Sequence, residues 1–271
     1  MLRRALLLGF VAVGSIAAAQ SRSQRAAGGP LRLGADSALV DSGLAAVLQQ
    51  AFMQDTGLAV QLAGAPAMPL LDALAAGELD VGLCNTPAAE GRLDGQGLVH
   101  DRQFIASGEF VLVGPPKPIS TALRLAKGEV RSAGAALRWL HESAQAQAQP
   151  VVFLTGNDGS GAHVAEQEAW RAAQIAPQAP WYQPAQAGRS LIAQARDKGA
   201  YAIVERGAWT AQGGSPLAIL VENDRGLTET IHAMRSFRSP HPAGKMFVAW
   251  IAGRRGRAVV AAQRGYRVPA A

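Results

Sequence analysis

Two short stretches carry residue types that could hold a small ligand. "ADSALVDSG", residues 35–43, and "TGNDGSGAH", residues 155–163, are rich in Ser, Asp and Gly, and each lies between an apolar run and a helix-like pattern. Amide N–H groups in the first turn of a helix lack intrahelical partners and carry partial positive charge. Glycine lets a ligand approach that backbone closely, so turns of this kind suit oxyanions. Ser160 could add a hydroxyl donor, with Gly161 and Ala162 offering amides. The plainer and commoner duty is that Ser160 or Asp158 caps the helix.

Other chemistries fit less well. Ser160, His163 and Asp158 could be read as a hydrolase constellation, but they fall within one turn of each other and lack the Gly-x-Ser-x-Gly spacing of a nucleophile elbow, so no enzyme is expected. His100, His141, His163, His232 and His241 show no short metal-ligand spacing, and no cofactor is expected. Cys84, in "VGLCN", is the single cysteine; without a second it forms no internal disulfide, and in an apolar run it reads as core filling.

The elements that position the two turns follow an α/β rhythm. "LRLG", residues 31–34, reads as a strand; residues 44–54 as a helix ended by Gly57; "LAVQLAG" as a strand; "PLLDALAAG" as a helix stopped by Gly77; and "LDVGLCN" as a strand. The rhythm returns with the strand "VVFLTG", a helix from Gly161, and "GRSLIAQARDKGAYAIVERG", a helix closed by Gly199 before another strand. Alternation of this kind predicts parallel pairing with crossover helices, here in two similar lobes. "GEFVLVGPPKP" suits a crossing from the first lobe to the second, the chain recrosses near residues 211–220, and "AILVEN" and "AGKMFVAWIAG" are expected to complete the first lobe. Residues 131–149 read as a surface helix with a polar tail.

Composition agrees with a packed protein: 271 residues, 49% hydrophobic and 17% charged. Arg3 and Arg4, an apolar run and Ala17–Ala18–Ala19 read as a cleaved export signal over residues 1–19, followed by a flexible leader over 20–30 and delivery to a bacterial periplasm. No later run reaches the roughly 20 apolar residues of a spanning helix, so a soluble mature protein is expected. The formal charge of +6 falls to about +4 once Arg3 and Arg4 leave. Only "GRRGR", residues 253–257, clusters basic side chains, and no aromatics interleave with them, which argues against nucleic-acid binding.

The runs "LRLGADSALVDSGL", "AFMQDTGLAVQLAG", "LDVGLCNTPAAE", "FVLVGPP", "FLTGNDGSGAHVAEQEAW" and "DKGAYAIVERGAW" together resemble the secreted tungstate-binding subunits of bacterial ABC importers. The resemblance extends from about residue 31 to 252, in order. It implies an α/β, two-lobed periplasmic-binding-protein fold (type II), each lobe a mainly parallel sheet flanked by helices. Lobe 1 would take residues 31–112 plus 216–271, and lobe 2 residues 113–215. It also implies a monomer that closes on a small oxyanion and delivers it to a membrane permease.

Carried over residue by residue, the resemblance places Asp36, Ser37 and Ala38 in the first ligand loop, and Asp158, Ser160, Gly161 and Ala162 in the second. The sequence departs from the family at Ala35, where the family has hydroxyl residues, at Gly156, where it has an Arg, and at Ala162, where it has a Thr. Arg189 could return a cation from another direction, and Arg206 matches a family Arg. A carboxylate at Asp36 opposite Arg189 would also suit a zwitterion or organic acid. Service to a sensor protein in place of a permease is a further alternative.

Overall fold

A computed structural model of the chain describes residues 29–116, 132–147 and 150–269. The expected export signal and nearly all of the expected leader lie outside these residues. β1 (Leu31–Asp36) is buried along its length except at Arg32, as a strand covered on both faces must be. It pairs in parallel with β2 (Val60–Ala65) on one side and β3 (Val81–Cys84) on the other. The short α1 (Ser37–Asp41) and then α2 (Leu44–Thr56) lead to β2, and α3 (Ala67–Ala76) leads to β3. Gly57 and Gly77 end α2 and α3 in the left-handed conformation, as their positions in the sequence predict.

Beyond β3 the sheet turns antiparallel. α4 (Pro87–Gly95) leads into the long β4 (Val99–Gly114), and β9 (Thr228–Ser236) inserts between β3 and β4, antiparallel to both. β4 keeps β9 as partner through Glu109 and then changes partner. From Phe110 to Val113 it pairs with β7 (Ala202–Glu205), and Leu112–Gly114 pair with β8 (Ala218–Val221). One strand therefore runs through both lobes, with the change of partner ahead of the boundary expected at 112. The run 218–221, expected beside the first-lobe strands, has other neighbours, because Val221 packs with Phe110 and Leu112.

The second lobe adds α5 (Ala133–Gln145), β5 (Phe153–Thr155), α6 (Gly161–Ala172), β6 (Tyr182–Pro184), α7 (Leu191–Lys198) and α8 (Arg206–Gln212). β5 pairs in parallel with β6, and Phe153 bridges to Tyr201. α9 (Pro242–Ala252) and α10 (Arg254–Ala261) return to the first lobe. Each lobe is a sheet with helices on both faces. In the first, Leu33, Leu48, Phe52 and Phe247 fill one side and Leu70, Leu74, Cys84 and Met234 the other. In the second, Leu137, Phe153 and Trp170 fill one side and Val113, Ile192 and Trp209 the other. Cys84 is fully buried, and burial pushes its thiol up, so it stays protonated. No helix among the described residues is long and apolar enough to cross a membrane.

Candidate functional site

β1 and β5 both deliver their carboxyl ends to the junction of the lobes, and the two Ser- and Gly-rich turns follow them directly. Between them lies a cavity of about 560 Å³. Ser37 and Ala38 line it from the first lobe, and Asp158, Ser160 and Ala162 from the second. The amide of Ala162 has no hydrogen-bond partner among the described residues, whereas the Ser37 amide continues the ladder between β1 and β2, whose last registered pair is Asp36 with Ala65.

The second turn is held by its own side chains. Asp158 accepts the Ser160 amide at 2.9 Å, the Ser160 hydroxyl accepts the His163 amide at 3.3 Å, and His163 Nδ1 accepts the Gly159 amide at 3.0 Å. Ser160 is thus the N-cap of α6 and a cavity-lining hydroxyl at once. The His163 ring spends Nδ1 on backbone and is not bonded to the Ser160 hydroxyl, the opposite of a nucleophile–base pair. Burial lowers its pKa, against the opposing pull of the nearby Asp158 charge. Gly159 has φ +76°, a left-handed turn that an L side chain resists, and this conformation brings its carbonyl to the Met68 amide at 3.0 Å.

Asp36 lies beneath the cavity, fully buried. One carboxylate oxygen caps α1 by accepting the Ala38 amide at 2.9 Å, and the other accepts the Gly161 amide of the opposite lobe at 3.3 Å. Burial, with the charge of Asp158 adding, pushes this carboxyl up to about 6 despite those bonds. Gly161 is packed so tightly that a Cβ there would fall 2.1 Å from Asn85 Oδ1. A third link between the lobes runs from Gln212 Nε2 to Asp41 at 3.1 Å.

The two arginines have other partners. Arg189 belongs to the cavity lining, but its guanidinium reaches Asp197 at 3.2 Å on the surface and Gln186 at 3.5 Å. Because Asp36 is enclosed and saturated by amides while Arg189 points to Asp197, the expected Asp36–Arg189 clamp for a zwitterion is not formed. Arg206 lies away from the cavity and ties Glu109 of β4 to Glu222 after β8. Sequence reasoning passed over Asp41 and Glu205. Both line the cavity; Glu205 caps α8 through the Gly207 and Ala208 amides, each at 2.6 Å. Burial pushes the Glu205 carboxyl up to about 7. The signal for Glu205 was present as an acidic residue at a strand end, one position ahead of a helix. No cluster of three or more metal-ligating side chains occurs among the described residues.

Several known proteins resemble the chain in sequence or in fold. The chain is 28% identical over 201 residues to the tungstate-binding protein TupA of Peptoclostridium acidaminophilum, covering 73% of this chain and 67% of that protein. Its fold matches the tungstate ABC transporter structure from Geobacter sulfurreducens with a TM-score of 0.70 and 23% identity, over 86% of this chain and 97% of the other. It matches the tungstate-binding protein TupA from Desulfovibrio alaskensis G20 with a TM-score of 0.65 and 24% identity, over 90% and 100%. A sequence model of the PBP superfamily domain matches residues 20–251, which takes in both lobes and both cavity-lining turns, and the chain belongs to that superfamily.

Proposed function

We propose that this protein is an extracytoplasmic solute-binding protein that captures a small anion of the tungstate or molybdate kind between its lobes and passes it to the permease of an ABC importer. The observation that carries the reading is the cavity of about 560 Å³ where Ser37 and Ala38 of one lobe face Ser160 and Ala162 of the other. The facing walls offer the Ser37 and Ser160 hydroxyls and the unpaired Ala162 amide, donors that hold an anion without a fixed cation. The 28% identity to a tungstate-binding protein supports the same class of solute. Export by residues 1–19 and a monomeric state belong to this reading.

A second reading, an amine-bearing solute, is favoured by Asp41, Asp158 and Glu205 in the cavity wall. Isothermal titration of the purified protein with tungstate, molybdate, sulfate and an amino-acid panel separates the two. Saturable binding of a tetrahedral oxyanion supports the first; binding of amino acids with no response to any oxyanion overturns it.

A further inference from the structure

The carboxylate of Asp36 occupies a position that an incoming anion would seek. Its two oxygens take amides from opposite sides of the junction, Ala38 in the first lobe and Gly161 in the second. A side chain already makes the bridge between lobes that a bound anion makes when it draws two lobes together. Ala162, whose amide is unpaired among the described residues, adjoins Gly161, and Ser37 and Ala38 line the cavity on the other side, so solute and side chain meet on the same short pieces of backbone. The carboxylate is fully buried and cannot swing into solvent without opening the junction. Asn85 closes it in further, lying against Gly161 while its amide donates to Glu229 at 2.7 Å.

We propose that Asp36 is the specificity-determining residue of the cavity, a resident anion that competes with doubly ionised oxyanions for the Ala38 and Gly161 amides and so weakens their binding. This rests on the anion-capture reading above and names the residue that sets its strength. The competition is both for donors and by charge, because a carboxylate a few ångströms from a dianion repels it in a partly desolvated site. Asp158, also acidic and also at the cavity, supplies charge without taking either bridging amide; its bond is to Ser160. The two carboxylates therefore separate simple repulsion from occupation of the donors.

The experiment is calorimetric titration of the full chain with tungstate and molybdate at pH 7.5, comparing the unaltered protein with Asp36→Asn, Asp36→Ser and Asp158→Asn. Asn preserves the shape of Asp36 and Ser is small enough to fit, so at least one variant should fold, with melting curves as the check. The expected result is at least tenfold tighter binding in the Asp36 variants and a change below threefold in Asp158→Asn. Equal or weaker binding in both Asp36 variants, with the unaltered protein still binding, overturns this inference and leaves anion capture standing. An equal gain from Asp158→Asn also overturns it, since charge alone would then suffice. If no form binds any oxyanion, both the capture reading and this inference fall. In the unaltered protein, the amide resonances of Ala38 and Gly161 should move when tungstate saturates it; unmoved resonances at saturation count against the proposal.

Discussion

Asp36, at the end of β1, accepts the amide hydrogen of Gly161, at the start of α6, across the junction of the two lobes at 3.3 Å. The contact needs a bare backbone at Gly161, because a Cβ would fall 2.1 Å from the oxygen of Asn85, a side chain that is itself buried and bonded to Glu229. Gly161→Ala is expected to force α6 away from β1, costing about 1–3 kcal/mol as overpacking does. A lower melting temperature with a larger radius of gyration in solution scattering would bear this out. An unchanged radius would show that Asn85 yields instead.

Ser160 has two duties that a single substitution separates. Its hydroxyl caps α6 through the His163 amide and also lines the cavity. Ser160→Ala is expected to lose roughly 1 kcal/mol of stability, the ordinary worth of an N-cap, and to weaken oxyanion binding several-fold. Ser132 gives the control, since it caps α5 through the Ala135 amide at 3.2 Å and is not part of the cavity lining. Ser132→Ala should cost similar stability and leave binding unchanged. Equal binding in both variants would remove Ser160 from the site.

The sequence carried the parallel half of the fold because that half is built from local signals. Gly57, Gly77 and Gly199 end helices where their positions predict, and each following strand is a short apolar run. β9 was illegible. "TETIHAMRS" alternates polar and apolar residues weakly, and what makes it a strand is its place between β3 and β4, a tertiary fact. The same holds for β8, whose apolar run fits either lobe until its partner on β4 is known. The places of Ser160 and Ala162 in the cavity wall were readable from a strand–turn–helix pattern. The roles of Asp36, Arg189 and Arg206 were not, since a charged side chain's partner lies anywhere in the chain. Asp36 went to Gly161, Arg189 to Asp197 and Arg206 to Glu109 and Glu222.

Arg206 offers a test of that distinction. It pairs with Glu109, where β4 changes partner, and with Glu222, just after β8, so it braces the strands at the crossing between lobes. Arg206→Ala is expected to lower the melting temperature by a few degrees, because two partly exposed carboxylates lose their partner. Its affinity for oxyanion should stay within twofold of the unaltered protein. A tenfold loss of affinity at unchanged stability would return Arg206 to the ligand site.

Three buried carboxyls, Glu166, Asp36 and Glu205, are expected to make the protein more stable in mild acid than at neutral pH. Glu166, on the inner face of α6, is almost fully enclosed and accepts the Tyr182 hydroxyl at 2.6 Å; burial pushes it up to about 7 from an ordinary 4.5. Asp36, near 6, and Glu205, near 7, are raised for the same first cause. A carboxyl with a higher pKa folded than unfolded binds its proton more tightly in the native state. Its contribution is therefore complete below the unfolded value and disappears as pH rises through the folded one. For Glu166 that window runs from about 4.5 to about 7 and is worth on the order of 3 kcal/mol. Asp55, Asp80 and Asp101 are lowered, and their contribution fades only in acid below the usual carboxylate range, so they do not offset the trend between pH 5 and 8. The melting temperature is expected to be higher at pH 5 than at pH 8. Glu166→Gln, which keeps the shape and cannot ionise, should flatten the profile by roughly 5–10 °C. A melting temperature that climbs from pH 5 to 8, or a Gln variant with an undiminished slope, would mean that Glu166 ionises freely in the fold.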